Sequence, residues 1–196
     1  MACGGTLRRT MGGVIEVRTA DDADLAQLPA VEAAADELFV PLGITDLPAP
    51  APAEERARSW RVLVAGRPVR GFAVLEQVDG AVHLEQLSVD PAYGRQGVGG
   101  ALLAATVGVA RESGADRVTL ITYADVPWNA PFYARHGWRP AGELTAALRA
   151  LRDHEADLGL DRHGTRIVMV RSTTVGQPRE RAGRTHPRGP SRANTG

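Results

Sequence analysis

The chain has 196 residues, of which 43% are hydrophobic, and its formal net charge is zero. This length fits one domain with an ordinary core, and the balanced charge argues against specific binding to nucleic acid or to a membrane surface. The single cysteine, Cys3, excludes an intramolecular disulfide, and no secretory signal precedes the first strand, so we predict a cytoplasmic protein.

Composition divides the chain into three parts. Residues 1–13 carry four glycines without apolar periodicity and predict a flexible leader. Residues 172–196 hold five arginines against one acid, and this composition predicts a disordered Arg-rich tail because it cannot bury a core. All 23 basic residues are arginine. The folded domain is therefore expected at residues 14–171.

The domain begins with a predicted strand at residues 14–18 and an amphipathic helix at 22–39, for which Asp21 and Asp22 are start signals. Four prolines predict a loop at 41–53, and a short helix is expected at 54–58.

Three strands then form a predicted meander, in which Asp79-Gly80 favours a tight hairpin turn with positive φ. The pattern continues with a helix from Gly97 to about Gly114, a strand, two helices and a closing strand. This order predicts an α/β protein of the α+β type, with a mixed sheet, flanking helices and one right-handed parallel crossover. The predicted meander strands span 60–65, 69–78 and 81–89, and the later elements span 118–123, 130–136, 143–158 and 165–171.

The junction between strand 81–89 and the following helix carries the strongest functional signal. Four glycines fall within seven residues, from Gly94 to Gly100, directly before an apolar helix. A helix N-terminus has unpaired N–H groups and a partial positive charge, so this junction predicts a phosphate site, to which Arg95 adds a cation. The spacing differs from a dinucleotide fingerprint, and a Walker A loop is absent.

Two segments resemble motifs of the GNAT superfamily of N-acetyltransferases. The sequence Gly94-Arg-Gln-Gly-Val-Gly99 is similar to motif A, although Gly94 stands where the family carries Arg or Gln. The segment from Asn129 to Trp138, with Tyr133 and a final Gly-aromatic pair, is similar to motif B.

The resemblance implies a mostly antiparallel central sheet of six to seven strands, in which parallel strands 81–89 and 118–123 splay apart around acetyl-CoA. It also implies that strand backbone binds the pantetheine arm, loop amides bind the pyrophosphate, and motif B contacts the arm. The residues concerned are Leu87, Ser88 and Val89 on the strand, Arg95, Gln96, Gly97, Val98, Gly99 and Gly100 in the loop, and Asn129 and Phe132 in motif B.

Acetyl transfer to an amine needs a base for the ammonium proton and benefits from an acid for the thiolate. We predict Glu85 as the base, with a pKa raised by burial beside Leu84 and Leu87, and Tyr133 as the acid by resemblance to the family. The alternatives are that Glu85 only pairs with an arginine and that Tyr133 is a core aromatic. Strict alternation places His83, Glu85, Leu87 and Val89 on one face of the strand.

The acceptor is less defined than the cofactor. His83, Asp36 and Tyr123 are candidate acceptor-binding residues, although a packed histidine is the alternative for His83. We predict a small-molecule primary amine as acceptor and no metal site. A protein or peptide amine, a non-catalytic acyl-CoA-binding module, and a homodimer remain open; an open groove beside Glu85 would favour a protein acceptor.

Overall fold

The computed structural model describes residues 15–174, so the predicted leader and the predicted tail beyond residue 174 lie outside the described residues. The described elements run from Val17 to Ser172. The strands are β1 (Val17–Thr19), β2 (Arg61–Ala65), β3 (Gly71–Val78), β4 (Ala81–Val89), β5 (Arg117–Tyr123), β6 (Arg139–Pro140) and β7 (Arg166–Ser172). The α-helices are α1 (Asp22–Leu25), α2 (Leu28–Asp36), α3 (Ala53–Arg56), α4 (Val98–Glu112), α5 (Ala130–Arg135) and α6 (Ala146–Asp157).

The seven strands form one sheet in the order β1-β2-β3-β4-β5-β7-β6. Every neighbouring pair is antiparallel except β4 and β5, which are parallel and are connected through α4. This arrangement confirms the predicted mixed, mostly antiparallel sheet with flanking helices. The parallel pair lies at the centre of the sheet.

Hydrophobic residues fill both faces of the sheet. On one face, α4 presents a helical stripe that includes Leu102, Leu103 and Val107, and this stripe packs on Leu84 and Leu120. On the other face, α1 and α2 contribute a smaller cluster that packs on β2 and β3; its members are Leu25, Leu28, Val31, Val62, Val64, Val69, Phe72 and Val74. The sheet is therefore covered on both sides around β3 and β4.

The predicted helix at 22–39 is wrong as a single element. The chain instead forms α1, α2 and a 3-10 helix at Glu37–Leu42. Pro29 lies in the first turn of α2, where it has no N–H to bond the carbonyl of Leu25 and its ring would clash with that carbonyl in a continuous helix. The apolar periodicity correctly predicted the buried face of these helices, but it did not predict the interruption between α1 and α2.

Most of the remaining boundaries agree with the sequence-based expectation. At the predicted hairpin turn, Asp79 has φ 51° and Gly80 has φ 70°, as a two-residue turn between twisted strands requires. Thr145 caps α6 by accepting a hydrogen bond from the Leu148 amide at 3.2 Å, so this helix begins later than expected. The two-residue strand β6 was missed because a strand so short has no alternation to detect.

Within residues 15–174, no helix is long and apolar enough to cross a membrane.

Candidate active site

The two parallel strands separate at the middle of the sheet. Their pairing joins Val82–Leu84 to Val118–Leu120 and ends there. Beyond this point β5 remains paired with β7, and residues 86–89 of β4 remain paired with β3 alone among the described residues. Backbone donors and acceptors of β4 thus face an opening, and an extended ligand can bind there as an added strand does.

A β-bulge at Glu85 marks the start of this opening. Val74 lies opposite Gln86 and Leu75 lies opposite Leu84, so Glu85 is an extra residue on β4. A bulge bends its strand and redirects a side chain, and such bulges are frequent beside active sites. Glu85 therefore lies outside the regular ladder at the point where β4 and β5 part.

The bulge also makes the predicted alternation along β4 wrong. Leu84, Leu87 and Val89 all pack on the core cluster under α4. His83 lies apart from that cluster, hydrogen-bonded to Thr119. One extra residue shifts the alternation of side chains by one position. Residues after Glu85 therefore lie on the face opposite to the one that strict alternation predicts.

The loop between β4 and α4 leaves a row of amides available. The Asp90 side chain accepts a hydrogen bond from the Ala92 amide at 2.8 Å, and Gly97, at φ 89°, precedes the first turn of α4. Among residues 15–174, the amides of residues 95–100 have no hydrogen-bond acceptor. Six consecutive free N–H groups at a helix N-terminus are suited to bind an anion such as a pyrophosphate.

Three glycines of this loop have packing roles that the motif alone does not reveal. A Cβ on Gly99 would lie 3.0 Å from Cζ of Phe132, and one on Gly100 would lie 2.9 Å from Nε2 of His136. These two glycines therefore allow α5 to pack directly on α4. A Cβ on Gly94 would lie 3.1 Å from the Pro91 carbonyl oxygen, so a larger residue here would require this turn to shift by a few tenths of an ångström.

Motif B forms α5 and its flanks, as predicted. Asn129 precedes the helix, and its carbonyl accepts hydrogen bonds from the amides of Phe132 and Tyr133 at 2.8 and 3.0 Å. The Tyr133 ring packs edge-on against Phe132 and Trp138. Its hydroxyl makes no hydrogen bond within residues 15–174, and burial raises the pKa of this phenol. Tyr133 thus remains protonated over the physiological pH range.

Glu85 is paired with Arg56, a residue that the sequence did not single out. Nη1 of Arg56 donates to Oε2 of Glu85 at 2.8 Å, and Nη2 donates to both carboxylate oxygens of Glu32 at 3.2 and 3.0 Å. The Glu85 side chain is 45% exposed, whereas Arg56 is buried. Desolvation raises the pKa of Glu85, and Arg56 opposes this rise. The pKa direction agrees with the prediction, but the neighbouring group is a guanidinium rather than leucine alone.

The three candidate acceptor residues lie in different surroundings. His83 is buried, its Nδ1 is 2.9 Å from Oγ1 of Thr119, and desolvation lowers its pKa to about 4. Tyr123 is buried, and its hydroxyl donates to the Leu160 carbonyl at 3.1 Å. Asp36, at the end of α2, is half-buried, and desolvation raises its pKa to about 6. None of the three lines the open cleft beside Glu85.

An open cleft of about 240 Å³ lies beside Glu85, and α3, β3 and β4 supply its walls. The side chains that line it are Glu55, Arg56, Arg58, Ser59, Glu76 and Glu85. Of these, only Glu85 was predicted from the sequence. The only signal for the neighbouring Glu32 was a carboxylate on the otherwise apolar face of α2.

The family model described as an acetyltransferase (GNAT) domain matches residues 58–140. This range contains the bulged strand, the amide-rich loop and α5, which together form the opening described above. The chain contains a GNAT acetyltransferase domain.

Solved structures of low sequence identity share the fold of this GNAT domain. A GNAT-family acetyltransferase from Staphylococcus aureus Mu50 aligns with a TM-score of 0.64 at 15% identity, covering 82% of this chain and 100% of the other. The ribosomal-protein-S18-alanine N-acetyltransferase from Escherichia coli aligns with a TM-score of 0.58 at 17% identity, covering 85% and 98%. N-acetylglutamate synthase from Neisseria gonorrhoeae, complexed with coenzyme A and N-acetyl-glutamate, aligns with a TM-score of 0.62 at 19% identity, covering 83% and 36%.

The family assigns acyltransferase chemistry to the GNAT domain. Its neighbours act on different amines, as the names of the Escherichia coli and Neisseria enzymes state, so the fold alone leaves the acceptor class undetermined.

Proposed function

We propose that this chain is an N-acetyltransferase that transfers the acetyl group of acetyl-CoA to a primary amine of a small molecule, by direct attack within a ternary complex. The observation that carries this proposal is the separation of β4 from β5 beside six free loop amides. One end of the opening accepts an extended arm, and the other end accepts a pyrophosphate. Acetyl-CoA has both groups, separated by its pantetheine arm.

The residues present fit this co-substrate. The backbone of Leu87, Ser88 and Val89 lies on the part of β4 that β5 leaves unpaired. The amides of residues 95–100 form the anion site, and the exposed Arg95 adds positive charge beside it. Phe132 borders the same loop where its ring approaches Gly99, and Asn129 precedes the same helix, so we propose both as contacts of the arm.

The same residues allow a direct transfer. Acetyl-CoA supplies a thioester carbonyl, at which the amine forms an N–C bond while the C–S bond breaks. Glu85 accepts the proton of the ammonium group, directly or through a water, and its raised pKa makes it a stronger base than an exposed glutamate. Tyr133, protonated and without a described hydrogen-bond partner, donates a proton to the sulfur. The second proton that the nitrogen loses as the amide forms then returns to the Tyr133 oxygen, directly or through water. The Leu87 amide polarises the carbonyl.

A protein or peptide amine is the second candidate for the acceptor. The space beside Glu85 is an open cleft, and almost half of the Glu85 side chain is exposed, so a chain terminus or a lysine side chain has access. Small-molecule sites usually enclose most of their ligand. This cleft is the observation that favours the second candidate.

An assay that detects free CoA separates these alternatives. The full chain would be incubated with acetyl-CoA and a panel of small primary amines, peptides with free N-termini and lysine-containing peptides. Turnover with small amines supports the proposal, and turnover with peptides alone supports the second candidate. Binding of acetyl-CoA by calorimetry without turnover on any amine would favour a non-catalytic module and contradict both.

The proposal extends to the domain boundaries and to the location of the protein. We take residues 14–171 as the catalytic domain, residues 1–13 as a leader and residues 172–196 as a tail without a catalytic role. We also propose that the enzyme acts in the cytoplasm, where acetyl-CoA is made available to it, and that a homodimer is not needed to complete the opening between β4 and β5.

A further inference from the structure

Arg56 connects two carboxylates that come from different elements. It lies at the end of α3 and reaches Glu85 on β4 with one amino group and Glu32 on α2 with the other. The residue is 6% exposed, and its guanidinium lies 5.9 Å from the centre of the Phe72 ring. Because the guanidinium is planar and packed, it presents its donors in one fixed direction.

Arg56 is also the only described hydrogen-bond partner of the Glu85 side chain. The bulge removes Glu85 from the ladder, so no neighbouring strand holds its side chain in one rotamer. Among residues 15–174, only Arg56 therefore fixes the carboxylate at the edge of the cleft. A base must lie within hydrogen-bond reach of the proton that it removes, so this orientation matters for transfer.

The charges of the cluster do not balance. Arg56 brings one positive charge to two carboxylates, and Arg58 adds a second cation to the wall of the cleft. Three further acids face the cluster: Glu76 from β3, Asp36 from α2 and Glu55 from α3. Desolvation raises the pKa of Glu85 and also that of Glu32, while Arg56 lowers both. The two carboxylates thus compete for the same guanidinium.

We propose that Arg56 is a positioning residue that holds the Glu85 carboxylate ionised at the cleft, and that Glu32 limits this effect by sharing the guanidinium. The inference rests on the proposed role of Glu85 as general base. It concerns residues that neither motif contains.

Two substitutions have opposite expected effects. Arg56→Met removes the cation, so the acidic limb of kcat/KM moves to higher pH by roughly one unit, and activity recovers as the pH is raised. Glu32→Gln keeps an amide oxygen that accepts from Arg56 but removes the competing charge, so the acidic limb moves to lower pH. Arg56→Lys retains the charge without the planar fork and should fall between wild type and Arg56→Met.

A purely structural role for Arg56 predicts a different pattern. Loss of packing would lower the melting temperature and reduce activity equally at every pH. It would not produce shifts of opposite sign from two variants that both disturb the same cluster. If Arg56→Met does not fold, Glu32→Gln and Arg56→Lys still provide the test.

The carboxyl carbon of Glu85 gives a readout that does not depend on activity. Its NMR signal, assigned by its loss in Glu85→Gln, would be titrated in the full-length wild type, in Arg56→Lys and in Glu32→Gln. The titration midpoint should fall in Glu32→Gln and rise in Arg56→Lys. Equal midpoints in all three proteins would overturn the inference.

The same variants separate this inference from the proposed function. If the NMR midpoints shift but Glu85→Gln is fully active, the coupling to Arg56 stands and the role of Glu85 as base fails. If Glu85→Gln is slow but the midpoints do not move, the base role stands and the positioning role of Arg56 fails. The kinetic profiles would use the amine with the highest rate in the panel.

Discussion

Glu85 shows how one extra residue in a strand creates a site. The bulge places its carboxylate at the cleft, and Arg56 contacts it from a segment 29 residues earlier. Tyr133 approaches from a separate helix and keeps its proton because burial disfavours the phenolate. Burial raises the pKa of both groups, and at Glu85 the hydrogen-bonded guanidinium of Arg56 opposes that rise and favours the carboxylate form that a base requires.

We expect Glu85→Gln to lower turnover by about 100-fold, since glutamine cannot accept the ammonium proton, with little change in acetyl-CoA affinity. In the wild type, kcat/KM should fall as the pH drops through the raised pKa of Glu85, and Glu85→Gln should lose this dependence.

Tyr133→Phe should slow turnover about 10-fold or more without affecting the acidic limb. Steady-state rates between pH 5 and 9 measure both effects; wild-type rates in both variants would contradict the assignments.

The buried side chain of Asp24 makes the stability of the fold depend on pH. Its buried carboxylate accepts two hydrogen bonds from Arg18 and one from the Asp21 amide at 2.9 Å, and these contacts hold its pKa well below the ordinary value. A lowered folded-state pKa contributes stability above the unfolded-state pKa of about 4, and this contribution is lost as the pH falls further.

Asp24→Asn should therefore lower the melting temperature at pH 7 by roughly 5 °C. The difference from wild type should shrink below about pH 4. Thermal unfolding followed by circular dichroism from pH 3 to 7 measures this, and Asp22→Asn, whose residue is exposed on the same helix, is the matched control. A constant difference across that range would contradict the account.

The α4 helix connects the hydrophobic core to the glycine-rich loop at residues 94–100. Its apolar stripe is buried against the sheet, which fixes its first turn beside the end of β4. Gly97 precedes this turn in the left-handed region, which favours glycine and which asparagine and aspartate also tolerate. Because the amides of residues 95–100 have no acceptor within the described part of the chain, a charge at Gly97 would act directly on an anion bound there.

Gly97→Asp should weaken acetyl-CoA binding by at least about 10-fold, because its carboxylate repels the pyrophosphate and competes for the same amides. Gly97→Asn has nearly the same shape and the same tolerance of positive φ but no charge, so it isolates the electrostatic effect and should bind more tightly than Gly97→Asp. Calorimetric titration with acetyl-CoA measures the affinities. Equal binding by the two variants would show that the loop does not hold the phosphates.

At the scale of the whole molecule, one sheet brings these elements together. The central parallel pair opens beside α4 and α5, which carry the proposed cofactor residues, and α2 and α3 contribute Glu32 and Arg56 beside the proposed base Glu85. The last strand, β7, ends at Ser172, and Thr173 still donates to the Ala115 carbonyl at 2.7 Å.

Removal of residues 175–196 should therefore leave both the melting temperature and the turnover on the best amine unchanged, because all the described contacts of β7 and Thr173 are retained. Parallel measurements on the full chain and on the truncated chain test this. A slower truncated enzyme with an unchanged melting temperature would instead assign the tail a role in acceptor binding.

The sequence alone predicted the hairpin at Asp79-Gly80, the glycine loop before α4 and most of the element order, apart from the break before α2 and the short strand β6. These features depend on local rules: side-chain period, turn conformation and the free amides of a helix N-terminus. It also placed Glu85 and Tyr133 on the correct elements. The bulge at Glu85 arises only in the folded sheet, because a bulge depends on the register between β3 and β4. The pairing of Glu85 with Arg56 also requires the fold, since no local pattern specifies a contact between residues 29 positions apart.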